Sequence, residues 1–133
     1  MFPPPRPWKQ VGTVDPVREY VAFTSRFFLR SPLRVPAFMR QSSRIMEQVD
    51  AAPGVVGWSL GMNLPTLEFY TLSAWEAPED LQAFLASGPH GEAISKFSRD
   101  MRRDSIFMQF KALGSDVPLQ WSDALQRLNA SQT

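Results

Sequence analysis

The sequence contains no cysteine. That absence removes disulfides, thiolate metal sites and a cysteine nucleophile together, and it fits a reducing compartment. There is one histidine, His90, so the clusters of His and Cys that hold zinc cannot be assembled, and no metal site is expected. Charge of one sign is scarce too. The net charge is +1, which leaves nucleic acid without an electrostatic footprint. No apolar run approaches the ~18 residues of a membrane span, and the beginning of the chain lacks the apolar stretch of a signal peptide. No GxGxxG, phosphate-loop or GxSxG motif occurs. A cytoplasmic protein with no membrane span and no nucleic-acid partner is the expectation.

What is present fits one globular domain: 133 residues, 44% hydrophobic and 20% charged. A chain of this size buries roughly two-thirds of its unfolded surface. Five of the twelve prolines fall in residues 1–16, which read as an extended, polyproline-like arm with Trp8 packing on a neighbouring surface. Residues 17–128 form the domain and 129–133 a tail.

Arg18 to Arg30 alternates as a strand. Val21, Phe23, Ser25, Phe27 and Leu29 share one face, while Tyr20, Ala22, Thr24, Arg26 and Phe28 share the other. Both faces are largely apolar, so both should be covered. Pro36 suits a helix start, and Phe38, Met39, Ile45, Met46 and Val49 follow at helical spacing until Pro53-Gly54. Arg40, Arg44 and Glu47 fall on the opposite, solvent face. Val55–Met62 and Leu67–Trp75 read as strands of a hairpin around Asn63–Thr66. Pro78, Glu79 and Asp80 mark a helix start, and Ser87-Gly88-Pro89 breaks that helix. A second helical segment turns Ala93, Ile94, Phe97 and Met101 inward. Ser105–Leu113 is a further strand, and Trp121–Leu128 a short terminal helix.

This order of elements is the split βαβ, or ferredoxin-like, arrangement. The fold class is α+β, with a four-stranded antiparallel sheet and helices on one face. The other face, with Tyr20, Phe28 and Trp58 or Tyr70, then needs a partner. Pairing two such faces gives a homodimer, the dimeric α/β barrel. Arg26 on that face calls for a carboxylate or an anionic ligand, and Glu68 on the neighbouring strand can serve. Arg26, Arg30, Arg34, Arg40 and Arg44 make a locally basic stretch that reads as a solvated surface.

Two segments carry a family resemblance. One is Thr71-Leu72-Ser73-Ala74-Trp75-Glu76, followed by Leu81, Phe84 and Ser87-Gly88-Pro89-His90. The other is Pro118-Leu119-Gln120-Trp121. Together they resemble the antibiotic-biosynthesis-monooxygenase superfamily of dimeric α/β barrels, in the branch similar to spheroidene monooxygenase, over residues 18–128. The resemblance implies a monooxygenase-like oxidoreductase, either free of cofactor or using haem. Haem-degrading members would place an Asn at Ser25, a Trp at Phe84 and an axial His at Ile94. This chain has none of the three, so that mechanism is not expected.

The candidate site follows. His90 has the side chain whose ordinary pKa lies nearest neutrality. At a helix start the dipole favours its neutral form, which accepts a proton or ligates haem iron; packing at a helix junction is its other reading. Trp75, at a strand end, walls a pocket or fills a corner of the core. Phe23, Ser25, Phe27, Phe84 and Ile94 are candidate lining residues, as well as ordinary core positions, and Tyr70 is a hydrogen-bond donor to a substrate or a dimer partner. A hydrophobic small molecule is the implied ligand. Three functions remain open: oxidation of an apolar or aromatic substrate, non-catalytic ligand binding by a homodimer, or a non-oxidative isomerase, cyclase or dehydratase reaction.

Overall fold

The computed structural model describes residues 6–131. Residues 1–5, the start of the polyproline-like arm, and residues 132–133 of the expected tail lie outside the described residues. The elements are β1 (Lys9–Gln10), β2 (Glu19–Phe28), α1 (Val35–Asp50), β3 (Val55–Asn63), β4 (Glu68–Trp75), α2 (Pro78–Ala86), α3 (Gly88–Phe97), β5 (Ile106–Leu113) and α4 (Trp121–Ser131). The sheet runs β1-β3-β4-β2-β5, with every neighbouring pair antiparallel. The four strands other than β1 keep the ferredoxin-like order.

The sheet has five strands rather than four because part of the arm joins it. Lys9 and Gln10 pair with Trp58 and Gly57. Gly57 makes room for the arm, since a Cβ there would lie 2.5 Å from the ring of Trp8. The expected packing of Trp8 is thus found, on the chain's own sheet.

Period-two alternation sorts the strands into two faces. Phe23 and Ser25 of β2 lie opposite Ser73 and Thr71 of β4. That face is covered by α1, α2 and α3. The other face carries Tyr20, Ala22, Leu72, Ala74 and Ala112, packed with Leu119 and Ala124 and flanked by Trp8 and Trp121. Here the structure corrects the sequence reading: helices lie on both faces, because α4 folds back under the sheet. Tyr20 and Ala22 are only 2% and 0% exposed within a single chain. The surface that was to demand a second copy is therefore already covered. Trp58 belongs to the first face and Tyr70 to the second.

Polar contacts fix α4 in place. Trp121 Nε1 donates to Ser59 Oγ at 3.0 Å, and Ser59 Oγ donates to the Arg6 carbonyl at 2.6 Å. Arg26 donates to Asn129 Oδ1 at 3.0 Å, while Glu68 accepts from the Tyr70 hydroxyl. Arg26 therefore sits on the expected face, with α4 supplying a partner that the sequence reading did not foresee. Met101 also departs from expectation. α3 ends at Phe97, and Met101 bridges to Leu29 as extended chain.

Docking of α4 has a measurable signature. Leu128 is 0% exposed, so Leu128→Ala should lower the unfolding free energy by about 2–5 kcal/mol, the usual range for a truncated buried leucine. Urea denaturation measures it, and a loss below ~0.5 kcal/mol, the level of surface changes, would mean that α4 is undocked in solution.

Candidate functional site

Between the first sheet face and helices α1 to α3 lies a cavity of about 460 Å³, within the usual range for a small-molecule site. Two aromatic clusters bound it. At one end Phe38 meets Phe69 and Phe97, with ring centroids 4.7 Å and 5.2 Å apart. At the other end Trp58, Trp75, Val49 and Leu81 pack together with Phe84. Ile94 and Phe107 line the cavity yet are 49% and 55% exposed, so they form its rim. None of the lining residues is Lys, Arg, Asp or Glu.

The structure brings together most of the residues singled out in the sequence. Phe23, Ser25, Phe27, Phe84, His90 and Ile94 all line this cavity. Ile94 was expected to face inward and instead sits at the mouth. Two candidates are placed elsewhere. Trp75 is 0% exposed and lies behind the wall. Its ring is 5.0 Å from that of Phe84, which in turn is 5.0 Å from the His90 ring. It therefore backs the wall rather than forming it, and its Nε1 donates to Ser73 Oγ at 2.9 Å. Tyr70 is on the opposite sheet face against Trp121. Burial, with Glu68 beside it, pushes its phenol up to about 12.

His90 is placed by the break between α2 and α3. Gly88 takes a φ of +56° there, a conformation that costs glycine no steric strain. Pro89 sits in the first turn of α3. Within the imidazole, Nδ1 lies 3.0 Å from the Leu85 carbonyl. A carbonyl oxygen only accepts, so Nδ1 carries the proton, and Nε2 of the neutral ring keeps its lone pair. Burial lowers the pKa of His90 below its ordinary value, against an opposing effect of the Leu85 carbonyl. The result is a neutral imidazole of defined tautomer on a charge-free wall.

Two glutamines hold this turn from α1. Gln48 Nε2 donates to the carbonyls of Phe84 at 3.2 Å and Ser87 at 2.8 Å, and its Oε1 accepts from the His90 backbone N–H at 2.8 Å. Gln41 Nε2 donates to the Pro89 carbonyl at 2.7 Å. Sequence reasoning passed over both. The available signal was their spacing: the pair lies two turns apart, beside Phe38, Ile45 and Val49, and polar residues near an inward helix face imply buried partners.

Comparison with solved structures places this architecture. A crystal structure of an antibiotic biosynthesis monooxygenase superposes with a TM-score of 0.61 at 13% identity, over 70% of this chain and 98% of that one. The chain has the fold of the antibiotic biosynthesis monooxygenases. Rv0793 from Mycobacterium tuberculosis shares this fold with a TM-score of 0.61 at 15% identity, over 71% of this chain and 95% of that one. SnoaB, a cofactor-independent oxygenase from Streptomyces nogalater, does so with a TM-score of 0.55 at 18% identity, over 70% of this chain and 92% of that one. No protein-family model matches the sequence, and no curated protein does. Among the described residues, no helix is long and apolar enough to cross a membrane.

Because His90 is the one histidine, its titration can be read directly by NMR. Its midpoint should fall below ~6.5, the ordinary imidazole value. The sign for stability follows. Above ~6.5 both folded and unfolded states are neutral there and the fold loses nothing. As pH falls toward the lower folded midpoint, only the unfolded state gains the proton, and stability drops until both are charged. Thermal denaturation between pH 7 and pH 5 should show this loss, and His90→Gln should lack that component. An NMR midpoint at or above the ordinary value would contradict the buried neutral imidazole.

Proposed function

We propose that this protein is a monooxygenase-like enzyme that oxidises an apolar, aromatic small molecule carrying an acidic C–H, with molecular oxygen as oxidant and His90 as general base. One observation carries the reading: the neutral imidazole of His90 on the wall of an otherwise uncharged, aromatic cavity. Its fold likeness to SnoaB, a cofactor-independent oxygenase, supports the same chemistry. The residues do not fit haem. The wall offers one imidazole for iron but no Lys or Arg to meet the two propionates of the porphyrin.

The step balances without a bound cofactor. His90 Nε2 takes a proton from a substrate CH₂ group activated by neighbouring aromatic or carbonyl groups. The resulting carbanion transfers an electron to oxygen, and the radical pair joins to form a C–O bond as a peroxide. The returned proton and the second C–H hydrogen then leave with one oxygen atom as water, giving a ketone from CH₂ and O₂. The apolar wall favours this chemistry, because water is kept from the carbanion. Phe84, backed by Trp75, and Phe23 supply aromatic faces for the substrate to stack on.

The assay is oxygen uptake with a panel of polycyclic phenols and anthrones, with product identified by mass spectrometry. His90→Ala should lower kcat by about 10²–10⁴-fold, the usual contribution of a positioned base. For wild type, kcat/KM should be flat at neutral pH and fall as the pH drops below ~6.5 through the lowered His90 midpoint, since only neutral imidazole accepts the proton. Turnover unaffected by His90→Ala would remove His90 from the mechanism. Binding of these compounds without oxygen uptake would favour a non-catalytic ligand-binding protein instead.

A further inference from the structure

The floor of the cavity carries hydroxyl groups whose hydrogen bonds do not balance. Alternation along β4 puts Thr71 and Ser73 on the cavity face, roughly 7 Å apart by strand geometry, and Ser25 of β2 lies opposite Thr71. Ser73 Oγ accepts from Trp75 Nε1. An indole N–H can only donate, so this bond uses a lone pair of Ser73 and leaves its own hydrogen unspent. Among the described residues, the Ser73 hydroxyl accepts from Trp75 and makes no hydrogen bond as a donor. Ser25 Oγ and Thr71 Oγ1 bond to each other. One of their two hydrogens is used in that bond and the other is not.

Two O–H donors therefore stand one strand repeat apart on a wall without charge. Ser73 and Ser25 are 9% and 1% exposed, so the protein has buried them among aromatic rings. Buried donors without an acceptor are unfavourable, and an apolar residue of similar size would avoid the cost. What can satisfy them is whatever enters the cavity. The rings of Phe23, Trp58 and Phe84 around them accept flat apolar surface.

We propose that Ser73 and the Ser25–Thr71 pair form a two-donor site for an acceptor oxygen, a ketone, quinone or phenolate oxygen, on an otherwise apolar ring ligand. The site deepens the monooxygenase reading and rests on the same cavity. There, donors on an enolate or phenolate oxygen would stabilise the anion that His90 generates. Trp75 acts as a positioning residue, because its indole orients the Ser73 hydroxyl.

The test compares two bicyclic probes with one skeleton, α-tetralone and its hydrocarbon tetralin, titrated into the full-length protein and followed by NMR. Tetralin is the more hydrophobic and would win in a purely apolar cavity. Wild type should instead bind α-tetralone about fivefold more tightly or better, the worth of one net hydrogen bond. Ser73→Ala, and the double variant Ser25→Ala/Thr71→Val that removes both hydroxyls of the pair, should each weaken α-tetralone relative to tetralin, and Thr71→Ser should retain the preference. The wild-type comparison stands even if a variant fails to fold. Equal binding, or tighter binding of tetralin, overturns the donor site and leaves the apolar cavity standing. Binding of neither probe overturns both. A preference for α-tetralone without any oxygen uptake in the separate assay upholds the donor site and overturns the monooxygenase reading.

Discussion

The central strand β2 serves two packed layers at once, and the rest of the structure depends on how it does so. Its odd-numbered residues face α1 to α3, and its even-numbered residues face α4 and the N-terminal arm. A strand paired on both edges has no other way to dispose of side chains that alternate and are apolar on both faces. The two layers are not equivalent. On the α4 side the residues are small or tightly fitted, as in Ala22, Ala74, Ala112 and Ala124, and the interface closes. On the other side large rings hold the helices away from the sheet and leave a cavity. Closing one face is what allows the other to stay open, since the sealed layer supplies stability that the cavity does not.

The second organising device is the interruption between α2 and α3. A continuous helix through Ser87-Gly88-Pro89 could not place the His90 backbone N–H against Gln48, nor its ring against the Leu85 carbonyl. The positive φ of Gly88 makes the turn, and the amides of Gln41 and Gln48 bind the polar groups that the turn exposes. Those bonds come from α1, far away in the chain. The position of the imidazole is thus a property of helix packing, and its neutral charge state follows from the burial which that packing creates. Trp75, Phe84 and His90 form a contiguous run of tilted ring contacts from core to cavity, which links strand β4 to the helix break.

Much of this was legible in the chain. The alternation of β2, the hairpin of β3 and β4, the Gly-Pro break and the apolar faces of the helices are short-range patterns, and each led to the right element. The lining residues Phe23, Ser25, Phe27 and Phe84 lay on faces assigned by period, and His90 was picked out as the one histidine, at a helix start. Trp75 carried two readings, pocket wall and corner of the core, and the structure puts it in the core, because Phe84 stands in front of it. Tyr70 was offered both to the second sheet face and to the substrate, and the structure places it on that face against Trp121, while its neighbours Thr71 and Ser73 carry the polar floor. The amides of Gln41 and Gln48 were passed over because a polar residue in a helix is ordinarily solvated, although their spacing beside the inward face carried a signal.

The segment from Trp75 to His90 entered as a candidate site through a family resemblance. The sequence by itself determined the α+β class, the split βαβ order and the absence of thiol chemistry. Those conclusions need only local periodicity, composition and the geometry of glycine and proline. Tertiary structure alone decided that α4 closes the second face, that the arm adds a fifth strand, and that a cavity with hydroxyls on its floor remains under α1 to α3. Each of these depends on contacts between residues distant in the chain. Whether a surface is covered, or a donor meets an acceptor, is settled by what lies across the gap.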